Sequence, residues 1–284
     1  VIYDESRGCS MDLSGWVSII NQSGASFENT KLKLIAGDVN RAEPQRNRRD
    51  VVMKMAMAED AAAPFAEKAI FDYHLYTLGR PADLPNHSTK QLQLFPTARG
   101  VECDKELVFA PTLNMGYYGY QQLDKEYGRY GQGDINVYLR FKNEKSRNLG
   151  MPLPAGRIRV MQLDPADDSL EFIGEDVIDH TPRNEEVLIE MGNAFDVVGE
   201  RKQTNFRVDT RTRNLWETFE IRLRNHKDEA VDVAVLENLY RMANWKLEGV
   251  SHDWDKENSN RIRFDVRVPS EGETVITYTA HYSW

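Results

Sequence analysis

Residues 149–196 read LGMPLPAGRIRVMQLDPADDSLEFIGEDVIDHTPRNEEVLIEMGNAFD. Short runs that alternate apolar and polar residues are separated there by a Pro/Gly turn, an acidic turn and a turn at 180–183. A side-chain period of two is the signature of a strand with one face buried and one face wet. The same pattern flanks this stretch on both sides and constrains the fold more than any other feature. It predicts an all-β protein built from tandem immunoglobulin-like β-sandwich units.

The strands expected upstream are 13–20, 31–35, 70–78, 90–95 and 105–110. Pro and Gly residues mark the breaks between them. Then Ile135, Val137, Leu139 and Phe141 alternate with Asn136, Tyr138 and Arg140. Near the C-terminus Phe219, Ile221 and Leu223 alternate with Glu220, Arg222 and Arg224, followed by strands over 231–236, 245–247, 261–268 and 274–282. Trp245 is expected to fill the gap between two sheets there, with Tyr278 inside. Residues 37–68 break the rhythm, being basic first and then rich in Met and Ala around Pro64. They read as one short helical or irregular insertion, because Met and Ala favour helix while Pro64 restricts its length.

One local plan recurs at Asn21, Asn143 and Asn225: a strand ends at or beside Asn, a polar turn follows, and a second strand begins. Asn suits such corners because its side chain can hydrogen-bond nearby backbone. The repetition divides the chain into 1–125 (carrying the insertion), 126–210 and 211–284.

The 284 residues carry a formal charge of −9, which argues against nucleic acid as a partner. The cationic run 41–49 is interrupted by Glu43 and Pro44 and reads as a solvated loop. No apolar run approaches the ~18 residues that span a bilayer. Cys9 and Cys103 sit in no Cys-x-x-Cys or Cys/His pattern, so they are either a disulfide or two thiols. The chain begins at Val1, so any signal peptide lies outside it.

The segments LSGWVSIINQSG, LKLIAGDVN, LGMPLPAGRIRV, FIGEDVIDHTP, GNAFDVVGERKQTNF and IRLRNHKDEAVDV resemble the bacterial domain of unknown function 4139. That domain is also the C-terminal part of proteins resembling mucoidy inhibitor A. The resemblance runs from Val1 to Trp284 and implies a β-rich extracytoplasmic protein of the periplasm, envelope or exterior. It also implies that a portion precedes Val1, and that 41–68 is a region where members differ. It carries over no catalytic residue.

Candidate chemistry is sparse. His74, His87, His180, His226, His252 and His281 form no zinc spacing, and no Gly-x-Ser-x-Gly or phosphate-cradling glycine loop occurs. No metal, cofactor or catalytic residue is therefore assigned. The most concentrated polar group, Asp179 to Pro182 with Glu175 and Asp176 nearby, reads as a capped turn. Residues 253–258 lack the glycine and distal Glu of a calcium loop.

The candidate binding surface is 114–134, where Tyr117, Tyr118, Tyr120, Tyr127 and Tyr130 are interleaved with glycines. Tyr gives broad contact area at low entropic cost, and Gly lets a loop conform. The alternative is that these tyrosines complete a core. The function expected is a non-enzymatic binding or structural module contacting protein or glycan of the cell envelope. The alternatives are a polysaccharide-acting enzyme using a carboxylate pair, and a homo-oligomer joined through exposed edge strands.

Overall fold

The computed structural model describes residues 1–4, 8–37, 58–59, 65–113, 122–128, 130–164 and 166–284. They form strands in several sheets, with one short 3-10 turn at Lys145–Arg147 and no α-helix among the described residues. None of the described helices is long and apolar enough to cross a membrane. The all-β expectation holds. The Met/Ala-rich part of 37–68, with its expected helix, lies outside the described residues except for strands Ala58–Glu59 and Phe65–Ile70.

Contacts divide the chain into two compact units, each assembled from two stretches: 1–104 with 140–189, and 105–139 with 190–284. This differs from the consecutive thirds read from the sequence. The reason is that strands Ser88–Phe109, Ile135–Lys142 and Glu186–Asn193 each contribute residues to both units, and no turn signal marks those crossings.

In the first unit the sheet order is Leu170–Ile178, Gly156–Leu163, Ile2–Asp4, Ser10–Asn21 and then the Ser88 end of the long strand. Ile2–Asp4 runs parallel to Gly156–Leu163, and the remaining neighbours are antiparallel. Phe65–Ile70 and Tyr73–Leu78 form a hairpin about Phe71, which takes a positive φ. The strand expected over 70–78 therefore begins only after that turn.

The separate strands expected at 90–95 and 105–110 are one strand, Ser88–Phe109. Pro96 and Gly100 sit in bulges of this one strand. Gly15 pairs with Phe95 and Leu13 with Ala98, so the long strand spends an extra residue beside Pro96; Met11 then pairs with Val101, spending another beside Gly100. A bulge leaves one residue out of the ladder and tolerates a missing donor. Gly15 is required opposite, since a Cβ there would come within 2.2 Å of the Phe95 ring.

Cys9 and Cys103 form a disulfide with Cα atoms 4.9 Å apart. It lies beside the pair Ser10–Glu102, and the Cys103 N–H donates to the Cys9 carbonyl at 3.0 Å.

In the second unit one sheet runs Thr112–Leu113, Tyr130–Gln132, Val197–Asp209, Asn214–Asn225, Glu273–Ser283 and Trp245–Glu248. The other runs from the Phe109 end of the long strand through Val231–Asn238 and Arg261–Val268 to Asp255–Lys256. A single core draws on both, with Phe109, Phe219, Ile221, Phe264, Ile276 and Tyr278 fully buried. Burying each such large side chain contributes about 1.5–3 kcal/mol. Tyr278 is inside, as expected. Trp245 is only partly buried, with its indole N–H donating to the Ser259 carbonyl at 2.9 Å.

The Asn corners are the clearest link from sequence to fold. Asn21, Asn143 and Asn225 are all buried. In each, the amide NH2 donates to a carbonyl of the following turn (Ala25, Met151, Glu229) and to the carbonyl of a proline far along the chain (Pro85, Pro182, Pro269). The side-chain oxygen accepts a backbone N–H from Ser23, Gly150 or Lys227. Asn143→Ala is expected to cost about 1–3 kcal/mol, because it strands buried polar groups. A shift in urea midpoint without a change in slope is the check.

Candidate functional site

Alternation places Leu215, Phe219, Ile221 and Leu223 of Asn214–Asn225 on the inward face, and Glu217 falls in the same phase. Arg201 and Gln203 occupy inward positions of Val197–Asp209 after Val197 and Gly199. Glu237 follows Val233 and Val235 on Val231–Asn238. Three strands thus project polar groups into one apolar interior, joined by Arg241, Tyr240, Tyr278 and Tyr282.

The groups satisfy one another closely. Arg201 Nε donates to both oxygens of Glu237 at 3.0 and 2.9 Å, and Glu237 also accepts from the Tyr278 hydroxyl. Glu217 Oε1 accepts from Arg241 Nη2 at 2.7 Å, Gln203 Nε2 at 2.8 Å and the Tyr240 hydroxyl at 3.0 Å. The side chains of Arg201, Glu237, Arg241 and Glu217 are at most 1% exposed. Ion pairs so far from water hold only when the remaining donors and acceptors are also met.

Segment 122–128 meets some of them. Arg241 donates to the carbonyls of Gln122 (2.7 Å) and Tyr127 (2.8 Å), and Arg201 donates to that of Gly128 (3.1 Å). The Tyr240 hydroxyl lies 3.3 Å from the Gly128 carbonyl oxygen, and its ring meets Tyr127 edge-on at 5.9 Å. Gly128 has φ +67°, and a Cβ there would reach the Tyr240 ring at 2.5 Å, so only glycine fits. Buried polar atoms without a hydrogen-bond partner among the described residues fall in the same cluster: Arg201 Nη2, Gln203 Oε1, Glu217 Oε2, Arg241 Nε and the Tyr282 hydroxyl. The Arg201 guanidinium lies 3.8 Å over the Phe219 ring, whose negative face compensates part of its lost hydration.

Burial alone would lower the Arg201 pKa, but Glu237 and the neighbouring tyrosines outweigh it and the net shift is upward. Burial, reinforced by Glu217, raises Tyr240; burial likewise holds Tyr278 and Tyr282 well above the ordinary phenol range. In the first unit, burial pushes Tyr76 up to about 12. A phenol whose folded pKa exceeds its unfolded value stabilises the fold fully below the unfolded pKa, near 10. That contribution is lost as pH climbs from there through the folded value. Stability is therefore expected to fall from about pH 10 to 12. Near-ultraviolet phenolate absorbance should show these four tyrosines titrating only with unfolding.

Of the tyrosines expected to form a binding surface, Tyr127 is half-buried against this cluster. The backbone of Tyr130 pairs with Lys202. Tyr117, Tyr118 and Tyr120 lie outside the described residues. The cluster's charged residues were not singled out from sequence, although Glu217, in phase with four apolar neighbours, was a readable signal.

Elsewhere the polar candidates make local bonds. His180 Nδ1 accepts from the Ala155 N–H at 3.0 Å, and Thr181 donates to the Asp179 carbonyl at 2.9 Å, so this turn is capped as expected. With His74, Asp72 and Tyr76, His180 lines a depression of 260 Å³ in the first unit. Among the described residues no group of His, Cys, Asp and Glu is placed to hold a metal ion.

Fold and site together define an all-β protein of two compact units, one of which locks a segment of chain onto buried ion pairs. Comparison with protein-family models, curated proteins and solved structures gives no match.

Proposed function

We propose that this protein is a non-enzymatic binding or structural module of the bacterial envelope, acting through protein or glycan contacts. The observation that carries the reading is the commitment of Arg241 and Arg201 to the carbonyls of 122–128. Charges spent on backbone positioning support recognition by a held loop, and loops on rigid sheets are where recognition normally sits. The tyrosines of 114–134 are its contact residues in this reading. Packing of each unit as immunoglobulin-like sandwiches, with the Asn corners as repeated units, is the finer architecture that goes with it. So does membership of the domain of unknown function 4139 family. The disulfide favours an oxidising, extracytoplasmic compartment.

A second reading, an enzyme acting on envelope polysaccharide, is favoured by the meeting of Glu217 and Glu237 in one cluster. Both carboxylates are ion-paired and sealed, which counts against it. The test is a binding screen of envelope fractions and glycans with the intact chain and a Tyr117, Tyr118 and Tyr120→Ala variant, alongside a reducing-sugar assay. The proposal expects saturable binding that the variant loses at unchanged melting temperature. Unchanged binding with lost stability would assign those tyrosines to a core instead. Sugar release that Glu217→Gln abolishes would favour the enzyme. Light scattering that stays monomeric across concentration would remove self-association.

A further inference from the structure

The hairpin of Gly156–Leu163 and Leu170–Ile178 ends the first unit's sheet, and no second strand is paired to Leu170–Ile178 among the described residues. The pairs Leu163–Leu170 and Met161–Phe172 share its outer face, and Ile2, opposite Met161 on the next strand, extends that face. Leu163 is 46%, Leu170 45%, Phe172 55% and Ile2 42% exposed. Exposed edge strands usually carry Lys or Pro that discourages pairing. Residues 170–175, LEFIGE, carry neither; the register shift that leaves Ile173 out of the ladder confines the regular edge to Leu170–Phe172.

Charge decides what fits. Residues 156–179 hold Arg157 and Arg159 against seven carboxylates, a net charge of −5. Both arginines are already paired with Glu175 on the outer face. The acidic turn (Asp164, Asp167, Asp168) and Glu171 surround the apolar end. A second copy of this edge would bring like charges together, which opposes self-pairing.

We propose that this edge receives an extended peptide segment in which Lys or Arg alternates with aliphatic or aromatic residues. Main-chain hydrogen bonds add it as a further strand. Its apolar side chains lie beside Leu170 and Phe172, and its cations lie over Glu171 and the acidic turn. The inference rests on the binding-module reading and gives it a partner class, through residues other than 114–134.

The test is fluorescence anisotropy of a labelled peptide alternating Lys and Val, against a Glu–Val counterpart and a Lys–Val peptide interrupted by Pro. The intact protein should bind the first saturably, and each control about tenfold more weakly or worse. Phe172→Lys should lose binding by a similar factor without lowering the melting temperature, since Phe172 is exposed. Equal binding of the interrupted peptide would mean attraction to acidic surface only and would overturn the proposal. So would unchanged binding in Phe172→Lys, or a wild-type dimer that Phe172→Lys dissolves. Loss of this binding alone, with envelope-fraction binding intact, would leave the broader reading standing.

Discussion

Arg201→Met is expected to lower folding stability by about 3–5 kcal/mol, because it leaves Glu237 charged in an apolar interior. Glu237 would keep only the Tyr278 hydroxyl of its described partners, and the Gly128 carbonyl would lose one of its two. The double variant Arg201→Met with Glu237→Leu is expected to recover much of that loss. Removing both charges abolishes the desolvation cost that their attraction offsets, and buried pairs replaced by apolar groups are often neutral. Urea unfolding of the wild type, both single variants and the double variant closes a cycle whose coupling term isolates the pair. Additive losses would show that the two side chains do not act as a pair.

The second large effect belongs to the disulfide. Cys9 and Cys103 are 94 residues apart, so their bond removes much of the unfolded chain's freedom. Loop-closure reasoning puts the ceiling near about 4–5 kcal/mol, with measured values more often about 2–4. Cys9→Ser with Cys103→Ser should lower the urea midpoint accordingly, and a reductant should bring the wild type to the same place. An unchanged midpoint would mean that the ladder between Ser10–Asn21 and Ser88–Phe109 already fixes those ends.

Much of the fold was legible because alternation reports burial directly. Ile135, Leu139 and Phe141 are inward as their phase required. The Asn corners were visible as turn chemistry. Their bonds to Pro85, Pro182 and Pro269 were not, because a partner so far along the chain leaves no local trace. The strands expected at 90–95 and 105–110 proved to be one because a missing donor, as at Pro96, fits a break or a bulge equally well. Only the register of the opposing strand distinguishes them.

The site was hardest to read for a related reason. Glu217 and Arg201 sit in strands rich in charged residues, where phase alone separates inward charges from the outward ones beside them, and Glu237 shares its strand with Asp232. Arg241 follows the last strand residue of its segment, where no phase applies. The Tyr/Gly-rich composition of 114–134 did point to the segment these charges hold. It gave no indication that Tyr127 and Gly128 would contribute their carbonyls to arginines.

The buried charges hold 122–128 in place, and tryptic cleavage after exposed Lys125 reports how firmly. Arg241→Met removes the donors to Gln122 and Tyr127, so native-state cleavage at Lys125 should accelerate about tenfold or more, while cleavage at exposed Arg211 stays unchanged. A folded Arg241→Met protein cut at Lys125 no faster than the wild type would mean that the buried charges do not hold this segment.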